Sequence, residues 1–306
     1  MARSILVPLD GSSFSEQALP AAMWLARRAQ VPLRLVQIHM PVAILPFAGS
    51  TPVDAQAERR LREREREYLN ELAGRVSAEA GVQCTAVLLE GPVIDTIDDY
   101  VRQFGVELIV MTTHGRGGFS RLWLGSVADG LVRRSSVPIL LIRPEDHAAE
   151  RPGVDGFRRI LVPLDGSELA EQILPHAISL ARLADGELVL VRVVTPYVVT
   201  DMVTEGPGVL PPTVFTGPRM RLAEEELGRI AERLSREEGV TVSTRVIEHT
   251  NPAAGILEEA GRTGADLIAV ATHGRGGIAR LVLGSVADKL IRAAQVPVLV
   301  VRPRAR

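Results

Sequence analysis

The chain has 306 residues, 46% hydrophobic and 24% charged, a globular composition whose length suits about two domains, each able to bury a core. A net charge of −2 and a pI of about 6.3 give nucleic acid and anionic membranes no electrostatic footprint, and no uncharged apolar run is long enough to span a bilayer. The single cysteine, Cys84, excludes an internal disulfide, and Cys/His clusters with metal-ligand spacing are absent.

The opening Met1-Ala2-Arg3-Ser4 leads straight into a strand-like run with no signal-peptide apolar region, so the expected location is the cytoplasm. Ile5 to Leu9 reads as a short apolar strand ending at Asp10-Gly11. Ser13 and Glu16 have capping-box spacing, and Ala18, Leu19, Ala22, Leu25 and Ala26 mark one face of the helix that follows. Leu33 to Ile38 is the next strand, and Met40 to Pro52, with its prolines and glycine, a loop. From Asp54 to Ala80 the pattern is a long charged helix with a stripe at Leu61, Tyr68, Leu69, Leu72 and Val76. Its Arg/Glu run is a solvated face.

Val82 to Leu89 reads as a third strand, in which Cys84 alternates with Val82 and Ala86 as an apolar filler. Gly91-Pro92 starts a helix, Glu107 to Thr112 makes a fourth strand, a helix runs from Ser126 to Arg134, and Pro138 to Ile142 makes a fifth strand. Pro144 to Gly153 is polar and proline-flanked, hence a linker.

The same order then returns. Leu6-Val7-Pro8-Leu9-Asp10-Gly11-Ser12 recurs as Leu161-Val162-Pro163-Leu164-Asp165-Gly166-Ser167. The strands of the second copy are Ile160 to Leu164, Leu188 to Val193, Val240 to Ile247, Leu267 to Val270 and Val298 to Val301. Helices are expected from about Arg219 to Glu238, from Pro252 and from Ser285, and the Pro/Gly-rich loop Thr195 to Pro218 is either a cover for the second copy's site or a surface excursion. The expected organisation is a first domain over 1–146, a linker over 147–156 and a second domain over 157–306.

Strands that alternate with helices and are almost continuously apolar belong to a parallel sheet covered on both faces. Right-handed crossovers make each copy a doubly wound five-stranded α/β sheet of order 3-2-1-4-5. Ligands of such sheets sit beyond the strand carboxyl ends where the winding reverses, here at Asp10-Gly11 and Thr112 to Gly115. That crevice also holds a repeated glycine turn. Thr112-Thr113-His114-Gly115-Arg116-Gly117-Gly118 runs on to Leu124-Gly125-Ser126-Val127-Ala128-Asp129, and Ala271-Thr272-His273-Gly274-Arg275-Gly276-Gly277 runs on to Leu283-Gly284-Ser285-Val286-Ala287-Asp288.

Strand, glycine turn and helix N-terminus together suit an anion, and phosphate is the obvious guest. Glycine permits positive φ and close approach of N–H groups, and the amides after Gly125 and Gly284 are unpaired donors at the positive end of a helix dipole. Ser126 and Ser285 either add a hydroxyl donor there or cap the helix. Leu122, Trp123 and Leu124, like Leu281, Val282 and Leu283, pin the loop to the body. A Walker A loop is excluded as the paired device, because Lys289 is the only lysine.

These residues resemble a tandem universal stress protein with two UspA-like domains. The resemblance lies in the first-strand Val-Pro-Leu-Asp-Gly-Ser, the Thr-His-Gly-Arg-Gly-Gly loop, the Gly-Ser-Val-Ala-Asp helix start and the closing Val-Pro-Ile-Leu-Leu-Ile-Arg-Pro, and it covers nearly all of both copies. It implies a Rossmann-like fold of the adenine-nucleotide-hydrolase type and a site for ATP with Mg²⁺. Carried over, Gly115, Gly125, Ser126 and Val127 would hold phosphate in the first domain, and Gly274, Gly284, Ser285 and Val286 in the second. Both copies depart from the family at the first motif glycine, which is Thr112 in one and Ala271 in the other.

By the same resemblance Asp10 and Asp165 would meet the adenine or ribose, with the backbone of Ile38 and Val193 along the base and Pro8 and Pro163 nearby. The other reading of the two aspartates is a turn or helix-cap carboxylate. Arg116 and Arg275 pair with phosphate oxygens or stay solvated, and His114 and His273 orient the loop through their ring nitrogens. The resemblance further implies edge pairing of the fifth strands, Pro138 to Ile142 with Pro297 to Val301, an intramolecular pseudo-dimer open to homodimerisation.

The function expected is therefore an ATP-binding stress-response or regulatory module acting through a protein partner, with slow hydrolysis at most, since no group is built to activate water. The alternative is an interaction module without nucleotide, supported by Thr112 and Ala271. An adenylyl-transferring enzyme would need His-x-Gly-His or Ser-Gly-Gly-x-Asp-Ser, and neither occurs.

Overall fold

The computed structural model describes residues 4–40, 55–114, 124–144, 156–196, 198–199, 213–214, 216–272 and 283–303. They form two compact units: Met1–Gly156 with Pro297–Arg302, and Phe157–Val296 with Pro303–Arg306.

In the first unit the elements are β1 (Ser4–Leu9), α1 (Ser13–Glu16), α2 (Leu19–Ala29), β2 (Leu33–His39), α3 (Ala55–Ala80), β3 (Cys84–Glu90), α4 (Val93–Phe104), β4 (Val106–Thr112), α5 (Ser126–Arg134) and β5 (Ile139–Ile142). The second unit repeats them as β6 (Arg159–Pro163), α6 (Glu168–Glu171), α7 (Leu174–Ala184), β7 (Glu187–Val194), the short pair β8 (Val198–Val199) and β9 (Thr213–Val214), then α8 (Gly217–Glu238), β10 (Thr241–Glu248), α9 (Pro252–Thr263), β11 (Leu267–Ala271) and α10 (Ser285–Ala293). The strand β12 (Val298–Val301) follows and is counted with the first unit.

The first sheet runs β3-β2-β1-β4-β5, the expected 3-2-1-4-5, with parallel neighbours throughout. Beyond β5 the sheet continues with β12 in antiparallel register, Val298 opposite Leu141 and Val300 opposite Ile139, so β5 is not an open edge. In the second unit β10-β7-β6-β11 gives the same 3-2-1-4 order. Both copies are thus α/β, doubly wound.

Burial follows the apolar periodicity. Leu6, Val7, Leu33, Leu35, Ile109 and Val110 fill the first core with Leu25, Leu69, Leu72 and Val76 from the helices, and Leu161, Val162, Leu188, Leu190, Leu267 and Ile268 fill the second. Two expectations fail locally. The cap of the first helix is Ser12, whose hydroxyl accepts from the Ser15 amide at 3.2 Å, and not Ser13. The helix then stops at Glu16 and restarts at Leu19, because Pro20 cannot donate its amide to a continuing helix and is tolerated only in a first turn. The loop Thr195 to Pro218 contains the antiparallel pair β8–β9, which periodicity had not marked. Residues 197, 200–212 and 215 of that loop, most of Met40 to Pro52 and the linker after Pro144 lie outside the described residues.

Candidate functional site

The winding reverses between β1 and β4. Leu6 pairs with Ile109, a register that continued along both strands sets Leu9 beside Thr112. On the other side Pro8 pairs with Val36 and Leu9 with Gln37, so Ile38 comes level with Asp10. In the second unit Leu161 pairs with Ile268, and Pro163 with Val191, which brings Leu164 beside Ala271 and Val193 level with Asp165. The sheet therefore gathers Pro8, Asp10, Ile38 and Thr112 at one mouth, and Pro163, Asp165, Val193 and Ala271 at the other.

Asp10 closes a local turn. Its Oδ1 accepts the amide of Ser12 at 3.0 Å and the hydroxyl of Ser12 at 2.5 Å, while Gly11 takes φ 77°. Asp165 does the same, accepting the Ser167 amide at 3.0 Å and hydroxyl at 2.6 Å, with Gly166 at φ 81°. A side chain with a Cβ rarely adopts that left-handed angle, which explains glycine after each aspartate. The turn reading of the two aspartates is realised through Oδ1 in both units.

The glycines before the helices act by closeness. Gly125 donates its amide to Thr113 O at 2.8 Å, and Gly284 donates to Thr272 O at 2.8 Å. Their φ values are −58° and −60°, ordinary for any residue, so the positive φ expected of the turn's glycines is not what these two supply. A Cβ on Gly125 would stand 3.1 Å from Thr113 O and 3.7 Å from His114 Cα. Glycine lets the helix start lie against the end of β4.

Both glycines are N-caps that lack a side chain to cap with, and the first helical bonds are Asp129 N to Gly125 O at 2.8 Å and Asp288 N to Gly284 O at 2.9 Å. The helix itself leaves the amides of Ser126, Val127 and Ala128, and of Ser285, Val286 and Ala287, without partners. Ser126 and Ser285 are the first helical residues, exposed and not capping, so the capping alternative left by the sequence is not realised. Of the residues expected to pin the loop, Leu124 and Leu283 are buried, and Leu122, Trp123, Leu281 and Val282 lie outside the described residues.

At the first motif position the Thr112 side chain is buried, and its hydroxyl donates to His114 O at 2.7 Å. His114 Nδ1 lies 2.9 Å from Thr113 Oγ1, a contact through which the ring can orient the loop. Gly115, Arg116, His273, Gly274 and Arg275 lie outside the described residues.

Sequence reasoning missed two buried polar groups behind these mouths. His39, at the end of β2, is 0% exposed, with Nδ1 2.6 Å from Glu65 Oε2 and Nε2 2.5 Å from Glu58 Oε1, both on α3. Burial opposes its charging, but the hydrogen bonds and charges of the two glutamates outweigh it and hold the imidazole pKa above the ordinary value. Arg192, in β7, is 7% exposed. The signal for it was present: one arginine in the apolar run Val189-Leu190-Val191-Arg192-Val193-Val194.

A model described as the universal stress protein family matches residues 1–143 and again 156–302. The chain belongs to the universal stress protein family. A universal stress protein of Mycolicibacterium smegmatis is 31% identical over 314 residues, covering 98% of this chain and 97% of its own. One from Mycobacterium tuberculosis is 31% identical over 319 residues, 97% of this chain and 94% of that protein. Among solved structures, a universal stress protein from Archaeoglobus fulgidus superposes with a TM-score of 0.69 at 22% identity over 98% of both chains, a likeness of fold. Tandem universal stress domains are thus the organisation of this chain. Among its described residues no helix is long and apolar enough to cross a membrane.

Proposed function

We propose that this universal stress protein is a regulatory nucleotide-binding module in which each domain takes ATP, with Mg²⁺, at the mouth between its first and fourth strands. The observation that carries the reading is the repeated helix seat: Gly125 on Thr113 O and Gly284 on Thr272 O, both at 2.8 Å, leave three uncapped amides at the positive end of a helix beside the first strand's aspartate. In the first domain Ser126 to Ala128 would meet phosphate and Asp10 the ribose or adenine, with Pro8 and Ile38 alongside. In the second, Ser285 to Ala287, Asp165, Pro163 and Val193 would take the same parts. Thr112 and Ala271 would border the phosphates, with Gly115 and Arg116, and Gly274 and Arg275, in the loops. Nucleotide occupancy would then be read by a protein partner, with chemistry on ATP slow at most.

A second reading, an interaction module without nucleotide, is favoured by Thr112, whose buried side chain and bond to His114 O occupy the place of the family's first motif glycine. Equilibrium binding of labelled ATP separates the two. Ser126→Asp and Ser285→Asp each set a carboxylate before the open amides at an exposed position where an acidic residue suits the helix dipole. Each change is expected to remove one of two ATP sites. Full binding by the double variant would move the site elsewhere, and no binding by the unaltered protein would leave the second reading.

A further inference from the structure

The two units differ behind their first turns. The register of β1 with β2 and of β6 with β7 makes Arg192 the counterpart of Gln37. Arg75 on α3 approaches Glu16 at 3.7 Å as Arg233 on α8 approaches Glu171 at 3.5 Å, so that pairing is common to both units, while Tyr68, which donates to Glu16 at 2.8 Å, has Glu226 as its counterpart. One neutral group of the first unit, Gln37, is thus replaced by a guanidinium in the second.

Arg192 and Arg233 border a cavity of about 360 Å³, lined by Gly166, Glu171, Arg192, Glu226, Arg229 and Arg233 among others. The α8 residues Glu226, Arg229 and Arg233 stand at helical spacing and so share one face. Arg192 is fixed by Nε donating to Leu164 O and Nη1 donating to Glu226 at 3.1 Å. Its Nη2 is buried and has no protein partner, and the residue is part of the cavity's lining. Arg229, also in the lining, makes no hydrogen bond or ion pair among the described residues. Three arginines face two glutamates, each glutamate already engaged by one of them, so the lining carries unspent positive charge. An unsatisfied donor on a buried cation is costly, and an oxyanion is the group that best satisfies it.

We infer that this cavity is a binding site for the oxyanion headgroup, phosphate or carboxylate, of a small metabolite, present in the second domain only. Arg192 Nη2 donates to the headgroup, and Arg229 and Arg233 close on it from α8. The volume falls at the lower end of small-ligand pockets and exceeds what a bare phosphate fills, which leaves room for an organic body. The site does not depend on the nucleotide reading, since its donors lie on β7 and α8 and not at the start of α10.

The test uses the full chain carrying Ser126→Asp and Ser285→Asp, so that the helix N-termini repel anions, titrated calorimetrically at low ionic strength with inorganic phosphate and, separately, with acetate. Saturable binding of one or other at one site per chain is expected, and whichever binds tighter names the headgroup. Arg192→Gln, which installs the first domain's residue, is expected to weaken it by about tenfold or more. Arg229→Gln, at an exposed position where misfolding is not at issue, is expected to weaken it by about threefold. No saturable binding of either anion, or an affinity unmoved by both changes, would overturn the inference. If the nucleotide reading alone is wrong, the serine changes leave the isotherm as it is in the unaltered chain while the arginine changes still act.

Discussion

Gly125 gives its amide to Thr113 O at 2.8 Å, and that one bond seats the start of α5 against the end of β4. A Cβ at Gly125 would meet the same oxygen at 3.1 Å, tighter than normal contact and against sheet backbone that cannot swing away. Gly125→Ala should therefore displace the helix start by a few tenths of an ångström, cost about 1 kcal/mol and weaken ATP in the first domain by about tenfold. Denaturant midpoints and labelled-ATP binding check both. Unchanged affinity with lowered stability would separate the seat from the ligand.

Asp10→Asn separates the two readings of that carboxylate. Asparagine keeps an Oδ1 to accept the amide and hydroxyl of Ser12, now at 3.0 and 2.5 Å, so the turn and the stability should hold within about 0.5 kcal/mol. The charge is lost. A fall in ATP affinity without a fall in thermal midpoint is the expected pairing; no fall in either would confine Asp10 to the turn.

His39 makes the first unit sensitive to pH. Its folded pKa is raised, burial being outweighed by Glu58 and Glu65, so its stabilisation is complete below the unfolded value of about 6.5 and disappears as pH climbs through the folded value. The stability difference between the unaltered chain and His39→Gln should accordingly shrink from mildly acid to mildly alkaline solution. Denaturant titrations across that range measure it, and a difference that grows with pH would contradict the sign.

Burial pushes the Cys84 thiol up to about 11, which leaves little thiolate near neutrality. Modification by a disulfide reagent at mildly alkaline pH should run about a hundredfold slower in the folded chain than in denaturant. Comparable rates would make Cys84 a reactive thiol after all.

Gly186 has no room for a side chain. A Cβ would stand 2.6 Å from Arg158 O, and the backbone that would have to yield carries the bond from Glu187 N to that same oxygen at 2.7 Å. Gly186→Ala should cost about 1–3 kcal/mol. Calorimetric unfolding measures it, with hydrogen exchange locating the loss in β6 and β7.

The legible parts of this molecule were those that repeat along the sequence or follow a period. The strands, their order and the stretch around Asp10 and Gly125 could be read because apolar runs, crossovers and a twice-written glycine turn are one-dimensional signals. The cap at Ser12 turned on a choice between adjacent serines, which only the bond from the Ser15 amide to the Ser12 hydroxyl resolves. His39 meeting Glu58 and Glu65 depends on how α3 lies over β2, a distance that no spacing encodes. Arg192 announced itself as a charge in an apolar strand, but its open Nη2 depends on which atoms Leu164 and Glu226 take up.

The antiparallel pairing of Ile139–Ile142 with Val298–Val301 has a bearing on biosynthesis. As the polypeptide leaves the ribosome, the first unit's strands and helices emerge long before the segment that finishes its sheet, and the flank at Leu140 stays unsheltered while the whole second repeat is being translated. Nascent chains stalled in that interval would carry a sticky apolar ribbon, and a holding chaperone would find its target there.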